Sequence, residues 1–353
     1  MILDLSHGIN YMPLLTREAI VEASKIYTIL YDTELGLITL NSDPIPSERA
    51  GVEPKVFRSR LNVIDYKYFK RKDSIDDAYS MLNKLGIGGQ FVLANIEEKK
   101  AADQLGRVKK DLQYKLKVKQ VIDRGILISK ASKLGFALLI AYELKELDVI
   151  DVEHFRNTLE FLKNEFINGF ILKNTAVVNQ GEVIEVRHGV RANVGYVEAY
   201  IESLALQTAI SSIPKEDPPY SLAYLSSIKE ALIIRDPART LVEYELIDIE
   251  KRVSRVYSEC IDYRGKMILY KIIHEIYDKI SSEEGRVQCT SIEYEEYENS
   301  CHSIEKRVLY AHAGLQKEVI NVLVETSQNN IRLEYSRECR DKVKELVLKE
   351  PIA

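Results

Sequence analysis

The chain has 353 residues, room for two domains of ordinary size, and its 46% hydrophobic residues suffice for a buried core. Its 49 Lys and Arg against 54 Asp and Glu give a net charge of -5. A polyanion would therefore be held by a local patch rather than a global field, which argues against a protein that coats nucleic-acid duplexes. No apolar run, Phe136 to Tyr142 included, approaches the roughly 20 residues of a membrane span, and the short Ile2-Leu3 run has no basic flank or cleavage site. The expectation is a cytoplasmic protein with no membrane partner. Cys260, Cys289, Cys301 and Cys339 have no paired close spacing, so reduced thiols are expected in place of a disulfide framework or zinc knuckle.

In chain order, Ile2-Leu3 reads as a strand that runs into the polar stretch Asp4-Leu5-Ser6-His7-Gly8-Ile9-Asn10-Tyr11-Met12-Pro13. Thr16 is a candidate cap for a helix whose Ala19, Ala23, Ile26 and Leu30 form an apolar stripe of helical period. Leu37 to Leu40 reads as a strand stopped by Asn41-Ser42-Asp43-Pro44, and Val63 to Tyr66 as another. Beyond residue 68 helical patterns take over, starting with Asp73 to Leu85. Residues 97–120 are dense in lysine, including Lys109, Lys110, Lys115, Lys117 and Lys119. That stretch reads as a solvated connector, with contact to an RNA backbone as the alternative. Long amphipathic helices are expected over roughly 130–147, 151–173, 193–212, 222–234, 250–281, 301–327 and 336–349. The overall class is α+β and mainly α: a partial Rossmann-like α/β region over 1–68, a helical connector over 69–128 and an all-α domain over 129–353.

Two places carry residues suited to chemistry. In Arg307-Val308-Leu309-Tyr310-Ala311-His312 a permanently charged guanidinium fits phosphate oxygens, and an imidazole exchanges protons near neutral pH. This pair suits phosphodiester chemistry without a metal, because the ribose 2′-hydroxyl of RNA is a nucleophile already in the substrate. Residues five apart on a straight helix are rotated by about 140°, so either the helix is irregular or two copies of the motif meet across a symmetric dimer. By spacing alone, the default reading is Arg307 as a surface cation and His312 as a satisfied core histidine, because Arg-x-x-x-x-His recurs often by chance. The second place is the loop after the first strand, where Ser6, His7, Gly8 and Asn10 are compatible with phosphate and ribose at the carboxyl end of a strand. A loop that is polar merely because turns are polar is the alternative.

Together, Asp-x-Ser-His-Gly near the start and Arg-x-x-x-x-His near the end resemble the CRISPR-associated ancillary ribonucleases of type III systems. In that family a Rossmann-like CARF sensor with an Asp-x-Thr-His-Gly signature precedes a helical HEPN domain. Asn41 to Pro44 and Gly135-Phe136-Ala137-Leu138 also look like family positions. The resemblance implies a homodimer or an assembly of dimers in which cyclic oligoadenylate, cyclic tetra-adenylate above all, binds across two sensors and activates cleavage of single-stranded RNA. It places Ser6, His7, Gly8 and Asn10 at the ligand face. Arg307 would stabilise the phosphate and His312 act in proton transfer or positioning, with no cofactor or metal. A non-catalytic module binding the ring nucleotide or a partner in antiviral defence is the alternative.

Two departures stand out. The signature starts at residue 4, whereas several strands normally precede it, which leads to the expectation that the front of the sensor is missing and ring binding weak unless another polypeptide completes the sheet. Ser6 replaces Thr, and Val308 follows the arginine where the family often has a polar residue. Other signals are weaker. Gly86-Ile87-Gly88-Gly89 lacks a third glycine at Phe91, and Cys289, Cys301, His302 and His312 lack close ligand pairs. Arg187, His188 and Arg191 form a small basic turn, and Glu293, Glu295, Glu296 and Glu298 a solvated acidic face.

Overall fold

A computed structural model describes residues 1–4, 12–42, 61–85, 90–97, 102–181, 183–232, 234, 236–282, 301, 304–325, 330–336 and 338–350. The chain divides into two compact units, 1–80 and 81–353. The α+β, mainly helical class expected from the sequence is the class observed.

In the first unit, β1 (Ile2–Asp4) pairs parallel with β2 (Leu35–Ser42), and β2 pairs antiparallel with β3 (Leu61–Phe69). Parallel strands need a crossover, and α1 (Met12–Tyr31) supplies it. The helix starts four residues before Thr16, which is therefore an interior residue and not a cap. The predicted stripe is also corrected. Ala19 and Ala23 are exposed, while Val21, Ser24, Thr28 and Ile29 are buried. Small hydroxyl residues fit a buried face because they bond back to the helix or across it. Ser24 Oγ donates to the Ile20 carbonyl at 2.7 Å, and Thr28 Oγ1 lies 2.7 Å from Ser74 Oγ. Val21 packs with Leu37 and Phe69 in a small core, and the ion pair Arg17 Nη2 to Asp65 Oδ2 at 2.5 Å ties α1 to β3.

After β3 the chain forms α2 (Arg71–Asn83), and the second unit then runs through β4 (Ala94–Ile96) to α3 (Ala102–Leu116) and α4 (Val118–Leu134), the last two separated by Lys117 at φ +48°. It continues through α5 (Ala137–Glu146) and α6 (Val152–Phe161), and a π-helical stretch over 162–171. A hairpin of β5 (Thr175–Gln180) and β6 (Val183–His188) follows. Then β7 (Val190–Ala192) pairs with β4 (Ala94–Ile96) ahead of α7 (Val194–Ser211). Helices α4 and α7 approach closely at Gly125, where an added Cβ would lie 2.2 Å from Ser203 Oγ. The main core forms between α4, α5, α8 (Leu222–Ala231), α9 (Ala238–Glu259), α10 (Tyr270–Ser281) and α12 (Cys339–Lys349).

That core has a sheet on it, and the expectation of an all-helical second half is corrected there. Strands β8 (Tyr220–Ser221), β9 (Met267–Leu269), β10 (Ile320–Val324) and β11 (Ile331–Tyr335) form one antiparallel sheet in the order β8-β11-β10-β9. The helix expected over 250–281 is interrupted by β9. That expected over 301–327 reduces to α11 (Lys306–Ala311) followed by β10. Strands β10 and β11 alternate buried and half-buried residues, burying Ile320, Val322, Val324, Ile331, Leu333 and Tyr335, which is the period of a strand with one covered face. The cysteine expectation is corrected too. Cys301 and Cys339 form a disulfide, with Cα atoms 5.2 Å apart, that fixes the chain before α11 to the first turn of α12.

No helix among the described residues is long and apolar enough to cross a membrane.

Candidate functional site

Helix α11 is short, and the way it ends sets the site. The Gly314 N–H donates to the Leu309 carbonyl at 2.8 Å and the Ala313 N–H to the Tyr310 carbonyl at 3.2 Å, the paired bonds of a Schellman cap. Ala313 at φ +48° and Gly314 at φ +77° turn the chain away. His312 is thereby the C-cap, at φ -110° and ψ 27°, outside the helix proper. Two anchors hold the helix itself. Leu309 is fully buried, and Tyr310 packs edge-on against Phe136 with ring centroids 5.7 Å apart. The Tyr310 hydroxyl donates to the Leu346 carbonyl at 3.1 Å and lies 3.0 Å from Glu350 Oε2, so the helix is also fastened to α12.

The cap carries His312 to α9. Its Nδ1–H donates to Glu245 Oε1 at 3.1 Å, with the carboxylate side chain only 10% exposed and the imidazole 47% exposed. Glu245 belongs to the buried face of α9, one turn from Val242 and Ile249. The bond fixes the imidazole orientation and leaves Nε2 for proton exchange. It also raises the His312 pKa above the ordinary histidine value. The hydrogen bond that His312 donates to Glu245 is the largest cause, opposed by desolvation and reinforced by the charges of Glu245, Glu318 and Asp248.

His312 lines a cleft of about 380 Å³ together with Glu245, Asp248, Arg252, His274 and Gln316. Arg252 donates from Nε to Asp248 Oδ2 at 2.6 Å and from Nη1 to His274 Nε2 at 3.1 Å, and stacks 4.9 Å above the Tyr277 ring. Burial and the charges of Arg252 and Lys317 push the His274 pKa below its ordinary value, although Asp278 pulls the other way. The cleft thus holds two histidines whose environments drive them in opposite directions. Sequence reading missed Glu245, Arg252 and His274. Glu245 lies three residues before Asp248 and Arg252 four after it on an ordinary-looking amphipathic helix, and only tertiary packing brings them to the cleft of His312.

Arg307 is placed differently. It is exposed in the first turn of α11, has no ion pair among the described residues, and is not among the residues lining the cleft. The end of the helix frees His312 from the helical register but does not bring Arg307 beside it within one chain. Ser6, His7, Gly8 and Asn10 lie outside the described residues, as do Gly86 to Gly89, Cys289, His302 and the acidic run at 293–298. In the basic turn, Arg187 is paired with Glu185 at 3.0 Å, and Thr175 Oγ1 lies 3.3 Å from His188 Nδ1 across the hairpin.

Residues 1–44 match the family model described as CRISPR system endoribonuclease Csx1, CARF domain. This chain is similar to the Csx1 endoribonucleases. The matched stretch includes Asp4 to Pro13, which carries the first of the two motifs of the sequence resemblance. Over 343 residues, 95% of this chain, it is 26% identical to the CRISPR system endoribonuclease Csx1 of Methanocaldococcus jannaschii. The chain spans 61% of the length of that Csx1.

The geometry gives a prediction about His312 whatever the reaction. Substituting Glu245→Gln removes the negative charge while keeping the shape, so the His312 pKa falls. Histidine ring resonances followed by NMR across pH will show the midpoint for His312 displaced to lower pH in the variant. The sign for stability follows. Because the folded-state pKa is raised, the pair's contribution is fully present below the unfolded histidine pKa and is lost as pH rises through the folded one. In Glu245→Gln this part of the pH dependence of stability flattens. An unchanged His312 midpoint would show that the carboxylate does not govern it.

Proposed function

We propose that this chain is a CRISPR-associated endoribonuclease of antiviral defence that cuts single-stranded RNA by metal-independent attack of a 2′-hydroxyl, at a HEPN-type site containing His312. The carrying observation is the His312–Glu245 pair in a cleft, in a chain similar to Csx1. In the reaction the 2′-oxygen passes its proton to a water molecule and bonds to the adjacent phosphorus, and the bond from phosphorus to the 5′-oxygen breaks. His312, with its pKa raised, suits donation of a proton to that departing oxygen. Arg307 stabilises the charge of the phosphorane. The products are a 2′,3′-cyclic phosphate and a 5′-hydroxyl.

Since Arg307 does not line the His312 cleft of its own chain, the reading includes a homodimer in which two copies of α11 meet and pool two arginines with two histidines. Ser6, His7, Gly8 and Asn10 contribute to binding of cyclic tetra-adenylate, the activator, in residues 1–68. The remainder comprises a helical connector over 69–128 and the nuclease region over 129–353. The protein works in the cytoplasm.

The test is cleavage of a labelled single-stranded RNA in excess chelator, with and without cyclic tetra-adenylate. Cutting stimulated by the ring nucleotide is the expected result. No cutting in either condition by a folded dimer would leave a non-catalytic binding module as the reading.

A further inference from the structure

The lysine-rich stretch around residue 117 is not absorbed by the catalytic reading. It is a helix break and not one solvated helix. Helix α3 ends at Leu116, Lys117 takes a left-handed backbone at φ 48° and ψ 37°, and α4 starts at Val118. Two cavities adjoin this break and share Lys117 and Gln120 among their linings. One, of about 260 Å³, is lined also by Lys115, Arg124 and His154. The other, of about 410 Å³, is lined also by Tyr114, Lys119 and Phe91.

The charges on this groove are not neutralised locally. Lys115, Lys117 and Lys119 are exposed and form no ion pair among the described residues. Lys115 rests 5.8 Å from the Phe161 ring centroid. Of the neighbouring charges, Arg124 is matched by Glu143 at 3.6 Å, Asp148 lines the first cavity, and Asp123 is half-buried near Lys119. Lys115 and Lys117 are therefore left without a paired carboxylate among the described residues, while Lys119 is offset in part by the half-buried Asp123. Tyr114 is 84% exposed, far more than a tyrosine needs for packing. Gln113 Nε2 is buried with no hydrogen-bond partner among the described residues, a donor at the wall of the second cavity.

We propose that this groove is a binding site for single-stranded RNA, with Lys115, Lys117 and Lys119 meeting backbone phosphates and Tyr114 stacking on a base. An electropositive track with an exposed ring is the arrangement that holds a single strand without sequence preference, since every base has a face to stack. A duplex hides those faces, so Tyr114 favours the single strand. The inference rests on the reading that RNA is the substrate. It adds a place to hold the strand outside the His312 cleft, with which the groove shares no lining residue.

The test uses the full chain and a long 2′-O-methyl RNA, which binds but lacks the nucleophile. The triple variant Lys115→Gln, Lys117→Gln, Lys119→Gln will bind it about tenfold or more weakly at low salt. The slope of log affinity against log salt will be shallower by about 2, for three phosphate contacts at about 0.7 each. Tyr114→Ala will weaken single-strand binding by about fivefold or more, the low end of a base-stacking contribution, with little change on duplex RNA. Cleavage of an unmodified dinucleotide, too short to span both places, will be the same in the variants as in the wild type. Unchanged affinity and unchanged salt slope in the folded triple variant would overturn the proposal. So would a Tyr114→Ala effect equal on single strand and duplex. Failure of the wild type to cut unmodified RNA, with groove-dependent binding retained, would count against the nuclease reading and not against the groove.

Discussion

His312→Ala will lower the rate of RNA cleavage by about 10²–10⁴, the usual worth of a positioned proton-transfer group. Arg307→Ala will lower it by about 10²–10³, the usual cost of losing one electrostatic donor to the transition state. Both losses should appear in kcat, because in the proposed mechanism both groups act on the transition state. Neither variant should unfold the protein, since Arg307 is exposed and the His312 imidazole is nearly half exposed. Cleavage under single-turnover conditions, with thermal unfolding measured alongside, checks both parts. Equal activity of wild type and variants would trace the cutting to some other centre.

Gly314→Ala will damage the site from outside the chemistry. The residue sits at φ +77°, where an L side chain costs about 1–2 kcal/mol. The added Cβ would also lie 2.9 Å from Phe136 Cδ2 and 3.1 Å from the buried Tyr335 hydroxyl. Crowding of this kind in a packed core costs about 1–3 kcal/mol more. Phe136 cannot retreat freely, because it is fully buried and packs on Tyr310 of α11. The strain should therefore be relieved in the cap, moving His312 relative to Glu245. The expected result is a loss of about 2–5 kcal/mol in denaturant unfolding. Cleavage should fall about 10²-fold at a temperature where the variant is still folded, as expected for a group misplaced by about an ångström. A variant with native stability and native rate would show that the cap does not hold His312 in place.

The parts of the fold that were legible are those whose local pattern and tertiary role agree. Strand β2 and the helices α7, α8 and α12 follow directly from period and turn residues. The buried stripe of α1 did not, because its face is made partly of Ser24 and Thr28, which satisfy their hydroxyls internally and so pack like small apolar residues. Strands β10 and β11 carried a readable signal in Ile331-Arg332-Leu333-Glu334-Tyr335, an apolar–polar alternation of period two. The helix expected for the Arg-x-x-x-x-His motif runs to residue 327, over β10, and leaves the alternation at 331–335 unassigned between two expected helices. The Schellman cap at Gly314 was the cue that this helix stops.

The site shows a similar division. His312 was legible as a residue, and its departure from the helical register answers half of the angular problem posed by a five-residue spacing. Arg307 remains exposed on α11, and the proposed reading assigns the other half to a second copy of the chain. Glu245 was not legible. A carboxylate on the buried face of α9 looks like a flaw in an apolar stripe until the imidazole that justifies it is brought there by the end of α11. The Cys301–Cys339 disulfide was missed because bonded cysteines 38 apart leave no local spacing to read.

The most direct test of the account is the chemical nature of the ends left on RNA by the wild-type protein in excess chelator, compared with His312→Ala. The account predicts 2′,3′-cyclic phosphate and 5′-hydroxyl ends that disappear in the variant. Ends with 3′-hydroxyl and 5′-phosphate, or cyclic-phosphate ends produced undiminished by His312→Ala, would contradict it.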